Sequence, residues 1–162
     1  MIIIPQIAAD VVTQVTTEAK SRAFRASNLL RNAELQVLAG QRSGKVYKVP
    51  FTGPGQRVKK NGKIVRKKGR FYTASAPGES PAARTGTLRR SWLQRPYATN
   101  TPKGVIIQAS IVSQIRLKTG RTLADTLENG APNLKPRPFR KKTQKMAMTN
   151  IIKVYRQKYT LK

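Results

Sequence analysis

Between residues 7 and 38, Val12, Val15, Ala19, Ala23, Ala26, Leu30, Ala33 and Val37 recur at steps of three or four. That spacing places them on one face of an α-helix, whereas a strand would need a step of two. At about 1.5 Å per residue such a helix is roughly 48 Å long. A chain of 162 residues can bury one modest core, so the other elements must be arranged along this rod. Alanine dominates the stripe, and whatever packs there can come close. Two uses are open. The helix lies on the chain's own sheet, or part of its length packs against a neighbouring copy. Gly40 stands where a C′ glycine would end it.

The remaining elements are short. Residues 41–70 hold eleven Lys or Arg and no acid. Within them, 57–66 alternates around Asn61-Gly62, the dipeptide of a type I′ hairpin turn. This basic hairpin has too little apolar surface to stand alone. It reads as a projecting insertion over 53–70, with Gly53-Pro54-Gly55 and Gly69 as hinges. Residues 73–86 and 131–138 are extended straps, because each proline holds its predecessor out of the helical region. Thr85 or Thr87 can cap a short turn through Leu88, Arg89 and Arg90. A strand over 91–97, broken by Pro96, pairs across a polar turn with the β-branched run 105–112. Residues 123–129 form a short helix ended by Gly130. A last helix runs from Phe139 to about Tyr159. The fold class is α+β, in one domain.

Charge narrows the function. Thirty-three Lys and Arg face six Asp and Glu, a formal charge of +27. Such an excess repels itself and calls for a negative partner. Double-stranded DNA, with about one charge per 1.7 Å of axis, is the commonest candidate. The chain has no Cys and no His, so thiolate and imidazole chemistry is excluded. Gly40 to Lys45 misses the spacing of a phosphate-binding loop, and Ser75 and Ser80 have no His to activate them. The expectation is a non-enzymatic protein with no cofactor and no metal. No apolar run reaches the roughly 20 residues that span a bilayer, and the Met-Ile-Ile-Ile start lacks the basic n-region of a signal peptide. A cytosolic protein is expected.

The strap supplies a more specific signal. Ser75-Ala76-Pro77-Gly78-Glu79-Ser80-Pro81-Ala82, followed by Thr85-Gly86-Thr87-Leu88-Arg89-Arg90-Ser91, resembles the tail-completion, or head–tail joining, proteins of long-tailed bacteriophages. Ser43-Gly44-Lys45-Val46-Tyr47 upstream, and Leu127-Glu128-Asn129-Gly130 with Pro136-Arg137-Pro138-Phe139 downstream, fit the same pattern. The resemblance runs from about residue 7 to 155. It implies a long N-terminal helix, a small antiparallel sheet and a C-terminal helix. It also implies a structural virion protein, made in the bacterial host's cytoplasm. Six or twelve copies would form a ring in the phage neck, between the head connector or portal-adaptor ring and the tail terminator or tail tube. Double-stranded DNA would pass through the lumen. The chain departs from the family at the hairpin insertion and at Arg140-Lys141-Lys142, where apolar residues and a proline are usual.

Candidate residues follow. Lys59, Lys60, Lys63, Arg66, Lys67 and Lys68 are the DNA-facing candidates, against a solvated charged loop. Arg140, Lys141, Lys142 and Lys145 form the second basic group. Pro77, Glu79, Pro81, Arg84, Arg89, Arg90, Glu128, Pro136, Pro138 and Phe139 are candidates for the subunit interface. Glu79 and Glu128 read either as solvated loop acids or as partners of an Arg on the adjacent copy. Trp92 reads as sheet core or as a base-stacking platform. Six copies would carry roughly 160 positive charges, against about 24 phosphates in a ring roughly 40 Å tall. Most of that charge must therefore face acidic neighbours, counterions or solvent. Two rival assignments stay open: a sequence-independent nucleic-acid binder of nucleoid or ribosomal type, and an adjacent neck component, the tail terminator or stopper.

Overall fold

The computed structural model describes residues 4–49, 57–66, 70–101 and 104–159. Helix α1 spans Ile4–Ala39, β1 Val46–Lys48, β2 Arg57–Lys60, β3 Lys63–Arg66 and β4 Phe71–Thr73. They are followed by α2 (Thr87–Arg90), β5 (Trp92–Gln94), β6 (Tyr97–Thr101), β7 (Gly104–Gln108), β8 (Ile111–Ser113), α3 (Leu123–Asn129) and α4 (Arg140–Tyr155). This is the expected α+β architecture. The strands form four antiparallel ribbons, β1–β4, β2–β3, β5–β8 and β6–β7. None of the described helices is long and apolar enough to cross a membrane.

The alanine stripe does what its composition predicts. Ala19, Ala23, Ala26, Ser27 and Ala33 are buried on α1, and Thr143 and Ala147 are buried on α4. Small side chains on both helices let their backbones approach. Beyond this seam lies the apolar core of Leu38, Trp92, Ala124 and Phe139, with Val37, Leu88, Ile111 and Leu127 packed against it. Trp92 is therefore sheet core. Its ring meets Phe139 edge-on, 6.0 Å between centroids. Strand β5 is also tied to α1, through Arg31 Nε to the Trp92 carbonyl at 2.9 Å and through Gln94 Nε2 to Asn28 Oδ1 at 2.6 Å. The stripe is not covered along its whole length, since Val12 is 62% exposed.

Buried in the same row is a charge. Arg22 is 1% exposed. Its guanidinium donates to the carbonyls of Tyr155 at 3.4 Å, Lys158 at 2.8 Å and Gln157, and to Glu18 at 3.0 Å. The Tyr159 ring lies 3.9 Å from its carbon. The Tyr155 carbonyl belongs to the end of α4, where a helix leaves carbonyls without amide partners, and those of Gln157 and Lys158 lie just beyond it. The last helix stops at Tyr155 rather than near Tyr159. Helix α1 ends in a related way. Gly40 does not take up the left-handed conformation expected of a C′ glycine. Instead Arg42 donates to the carbonyls of Val37, Gly40 and Gln41 at 2.7–2.9 Å, and a cation there also suits the helix dipole.

The ribbons β5–β8 and β6–β7 are two halves of one hairpin. Gln94 stands opposite Ile111 and Tyr97 opposite Gln108, which is a single register. The Arg95 N to Ser110 O bond of 2.9 Å continues it between them. That bond fixes the phase of the ladder. Pro96 falls at a position whose main chain points away from the partner strand, so its missing N–H costs no ladder bond. In β2–β3, Asn61 and Gly62 have φ of 48° and 77°, as the type I′ turn requires. The proposed hinges at 53–55 and 69 lie outside the described residues.

Replacing Arg22 by Leu should cost about 3 kcal/mol, because three carbonyls lose a charged donor. Urea unfolding measures the loss, and hydrogen exchange should show the C-terminal turn of α4 fraying first. Arg22→Lys should fall between, since an ammonium cannot reproduce the planar fork.

Candidate nucleic-acid and subunit interface

The strap begins with a β-turn. Glu79 N donates to Ala76 O at 3.1 Å across Pro77-Gly78, and Gly78 has φ 78°. Proline at the second position and a positive-φ glycine at the third define type II. The turn aims Glu79 back at the chain. Its carboxylate accepts from Ser43 Oγ at 2.6 Å, Ser43 N at 3.2 Å and Ala76 N at 2.8 Å. The hydroxyl of Ser43, then the two amides, hold its pKa down at about 2. Gly44 follows at once, and a Cβ there would lie 2.5 Å from Ala74 O. The backbones of 44 and 74 can meet only because residue 44 has no side chain.

Two guanidinium groups lash the straps together. Arg42 reaches Pro81 O at 3.0 Å, joining the end of α1 to the first strap. Arg137, in the second strap, donates to Ser75 O, to Ser75 Oγ at 2.5 Å and to Ala76 O at 3.0 Å. Ser80 Oγ adds a bond of 3.3 Å to Pro138 O. Glu128, at the end of α3, accepts from the amides of Phe139 at 2.9 Å and Arg140 at 3.2 Å. It thereby caps α4, whose first residues carry no acid.

These contacts correct several interface expectations. Phe139 is wholly buried, with 0% exposure, because it closes the apolar core. Pro81, within the strap, is buried. Glu79 and Glu128 are both engaged within this chain, Glu79 by two amides and a hydroxyl and Glu128 by two amides. Pro138 is half-buried, while Pro77 and Pro136 are exposed. Arg84 and Arg89 are exposed, and Arg90 is exposed with a bond of 3.2 Å to Thr85 O. Residues 81–89, from the strap and α2, line a cleft of about 570 Å³ with Leu38, Leu127 and Leu134.

The basic candidates divide. In the hairpin, Arg57 stands opposite Arg66 and Lys60 opposite Lys63. Lys59 stands opposite Ile64 in the register, and Lys63 is exposed. Lys67 and Lys68 lie outside the described residues. On α4, Arg140 is paired with Asp125, and Lys142 donates to Gly78 O at 3.2 Å. Lys141 and Lys145 are exposed.

Sequence reasoning missed Arg22, Glu34, Arg42 and Arg137. Arg22 and Glu34 had a usable signal, since both fall on the buried row of α1 between alanines and leucines. Glu34 is 2% exposed. Burial raises its pKa from 4.5 to about 7, and Glu128 adds to the effect, against the hydrogen bond from Thr143. Among the described residues, no group of three His, Cys, Asp or Glu is placed to hold a metal. Comparisons with known protein families, with curated proteins and with solved structures find no match.

The two shifted acids predict opposite pH responses. Glu34 has a raised folded-state pKa, so its contribution is full below pH 4.5 and fades as pH rises through about 7. Glu79 has a depressed one, so its contribution is present above pH 4.5 and is lost as pH falls toward 2. Glu34→Gln should flatten the fall in unfolding free energy between pH 4.5 and 7. Glu79→Gln should remove a loss at acid pH. Urea titrations across this range separate the two.

Proposed function

We propose that this chain is a ring-forming structural subunit of a bacteriophage neck, a tail-completion protein that joins the head connector to the tail tube around double-stranded DNA. The observation that carries this reading is the coexistence of two unsatisfied surfaces on one small chain. The first is apolar. Ile7, Val11 and Val12 on the N-terminal part of α1 are 51%, 37% and 62% exposed, and Phe24 is 51% exposed. Exposed apolar residues gathered on one element point to a protein contact. The second is cationic, comprising Lys63 of the hairpin and Lys141 and Lys145 of α4, all exposed. A ring subunit needs both. Its copies meet through two different faces that close by rotation, and its lumen faces phosphate.

The internally lashed straps suit this role. Prolines lose little entropy on ordering, and the guanidinium clamps fix the straps before any neighbour arrives. A virion neck is the corresponding location, and a protein without catalytic chemistry the corresponding class. The exposed Lys141 and Lys145 also suit the rival, a sequence-independent nucleic-acid binder. The two readings differ in measurable ways. The rival demands tight, steeply salt-dependent binding of free duplex by a monomer or dimer. The neck subunit forms a ring of six or twelve copies with its connector and holds free duplex weakly.

Native mass measurement with and without connector and DNA decides between them. Val12→Asp should abolish the ring while leaving thermal stability within about 0.5 kcal/mol, as expected of an exposed site. The triple variant Lys59→Gln, Lys60→Gln, Lys63→Gln should still form rings but yield particles that leak DNA. A monomer that binds duplex tightly, and no ring under any condition, would overturn the proposal.

A further inference from the structure

Helix α1 is a rod whose two ends carry different unfinished surfaces. Glu34 on α1 meets Thr143, and Arg22 meets the Tyr155 carbonyl where α4 ends. The two helices are therefore antiparallel, and the turns of α1 before Glu18 run on past the end of α4. On these turns Ile7, Asp10 and Val11 stand three and four residues apart, on one face. Ile7 is 51% exposed and Val11 37%. Asp10 is exposed beside them. The other five acids of the chain have partners within it. The Asp10 carboxylate has none among the described residues.

The other end of the rod borders a cleft. Leu38, in the last turn of α1, lines it together with the half-buried Leu88, Leu123, Leu127 and Leu134. Its volume of about 570 Å³ admits side chains from one face of a helix, though not a whole helix about 10–12 Å across. Three arginines and no acid line it. Arg137 is held by the carbonyls of Ser75 and Ala76. Arg84 and Arg89 are exposed, and no described residue pairs with either guanidinium. The cleft therefore has an apolar floor and an unanswered positive rim.

A complementary surface is an apolar face that carries one acid, and the first turns of α1 present such a face. They cannot enter the cleft of their own chain. From Val11 to Leu38 the helix rises about 40 Å, and α1 is continuous over that length. Only a second copy can bring the two surfaces together. Because they are different surfaces at opposite ends of one rod, the contact is heterologous, and repeating it closes a ring or grows a filament. Copies that each carry +27 repel one another, and an acid set against the arginine rim gives attraction where they touch.

We propose that the cleft receives the N-terminal turns of α1 from a second copy of this chain, with Ile7 and Val11 on its leucines and Asp10 paired with Arg84 or Arg89. The mode is that of a helix face laid into an apolar groove. This rests on the reading of the chain as a ring-forming subunit, and it names both sides of the contact between copies.

Two charge reversals test it: Asp10→Lys in one chain, and Arg84→Glu with Arg89→Glu in another. All three positions are exposed, so both chains should keep the helical circular dichroism of the parent. Should Arg89→Glu disturb α2, Arg84→Glu alone carries the test. Self-association is followed by sedimentation equilibrium over a concentration series, with and without the connector. Each variant alone should raise the apparent dissociation constant by about tenfold or more, through like-charge contact. An equimolar mixture of the two should return to within about threefold of the parent, because the reversed acid then meets the reversed rim and the unchanged acid meets the unchanged rim. Variants that assemble as the parent does overturn the proposal. So does a mixture that fails to recover, or a parent chain that never self-associates. Connector binding that needs Arg84 and Arg89 but ignores Asp10→Lys puts an acidic segment of the connector in the cleft, and it too overturns the proposal. A connector-dependent ring indifferent to both reversals removes this contact and leaves the neck function standing. Recovery on mixing that yields filaments and never a ring removes the neck function and leaves the contact.

Discussion

Arg22 occupies the same buried row of α1 as Ala19, Ala23 and Ala26, and the alanines make room for its long side chain to cross to α4. The cation is not stranded there, because it meets the carbonyl oxygens at the end of α4, Glu18 and the face of Tyr159. A buried charge left unpaired would be costly. Here one carbonyl partner belongs to the end of α4, where it would otherwise lack a donor, and the other two follow directly after it. The position of α4 follows from this contact. With α4 fixed, Phe139 at its start closes the core against Trp92, and Glu128 can reach the first amides of α4.

Acids are scarce in this chain, and their placement shows where order is needed most. Glu18 supports Arg22 and Arg25, Glu34 meets Thr143, Glu79 holds the turn of the strap, Asp125 meets Arg140, and Glu128 caps α4. Five of the six acids are thus engaged within the chain. Most of the 33 cations have no acid to meet. Arg42 and Arg137 bind carbonyl oxygens, which neutralises nothing, and Arg22 adds carbonyls to its one acid. The excess charge is left for the surface, where phosphate or an acidic protein can answer it.

Much of this arrangement was legible in the chain itself. The period of α1, the Asn61-Gly62 turn, the short helix before Gly130 and the paired strands around Pro96 all carry local signals, and local chemistry decides them. What was not legible depends on contacts between distant residues. Phe139 follows two prolines and looks like part of a strap, yet it is core because Glu128 draws the start of α4 inward. Glu79 looks like a loose loop acid, yet the type II turn aims it at Ser43, 36 residues away. Arg42 and Arg137 cannot be told from their many basic neighbours by composition, since only the nearby carbonyls distinguish them. The small antiparallel sheet expected is built of two-stranded ribbons, two of which continue one hairpin. The strands are three to five residues long, and α1 supplies the packing surface that a wider sheet would have provided.

The partners of Arg22 lie 133 to 136 residues further along the chain. A ribosome releases those carbonyls long after Arg22 itself. Until then α1 has no second helix to close against, and its alanine row stays open to water. Contacts this remote in sequence form slowly, so the seam of α1 is sealed later than the local hairpin turns that follow it.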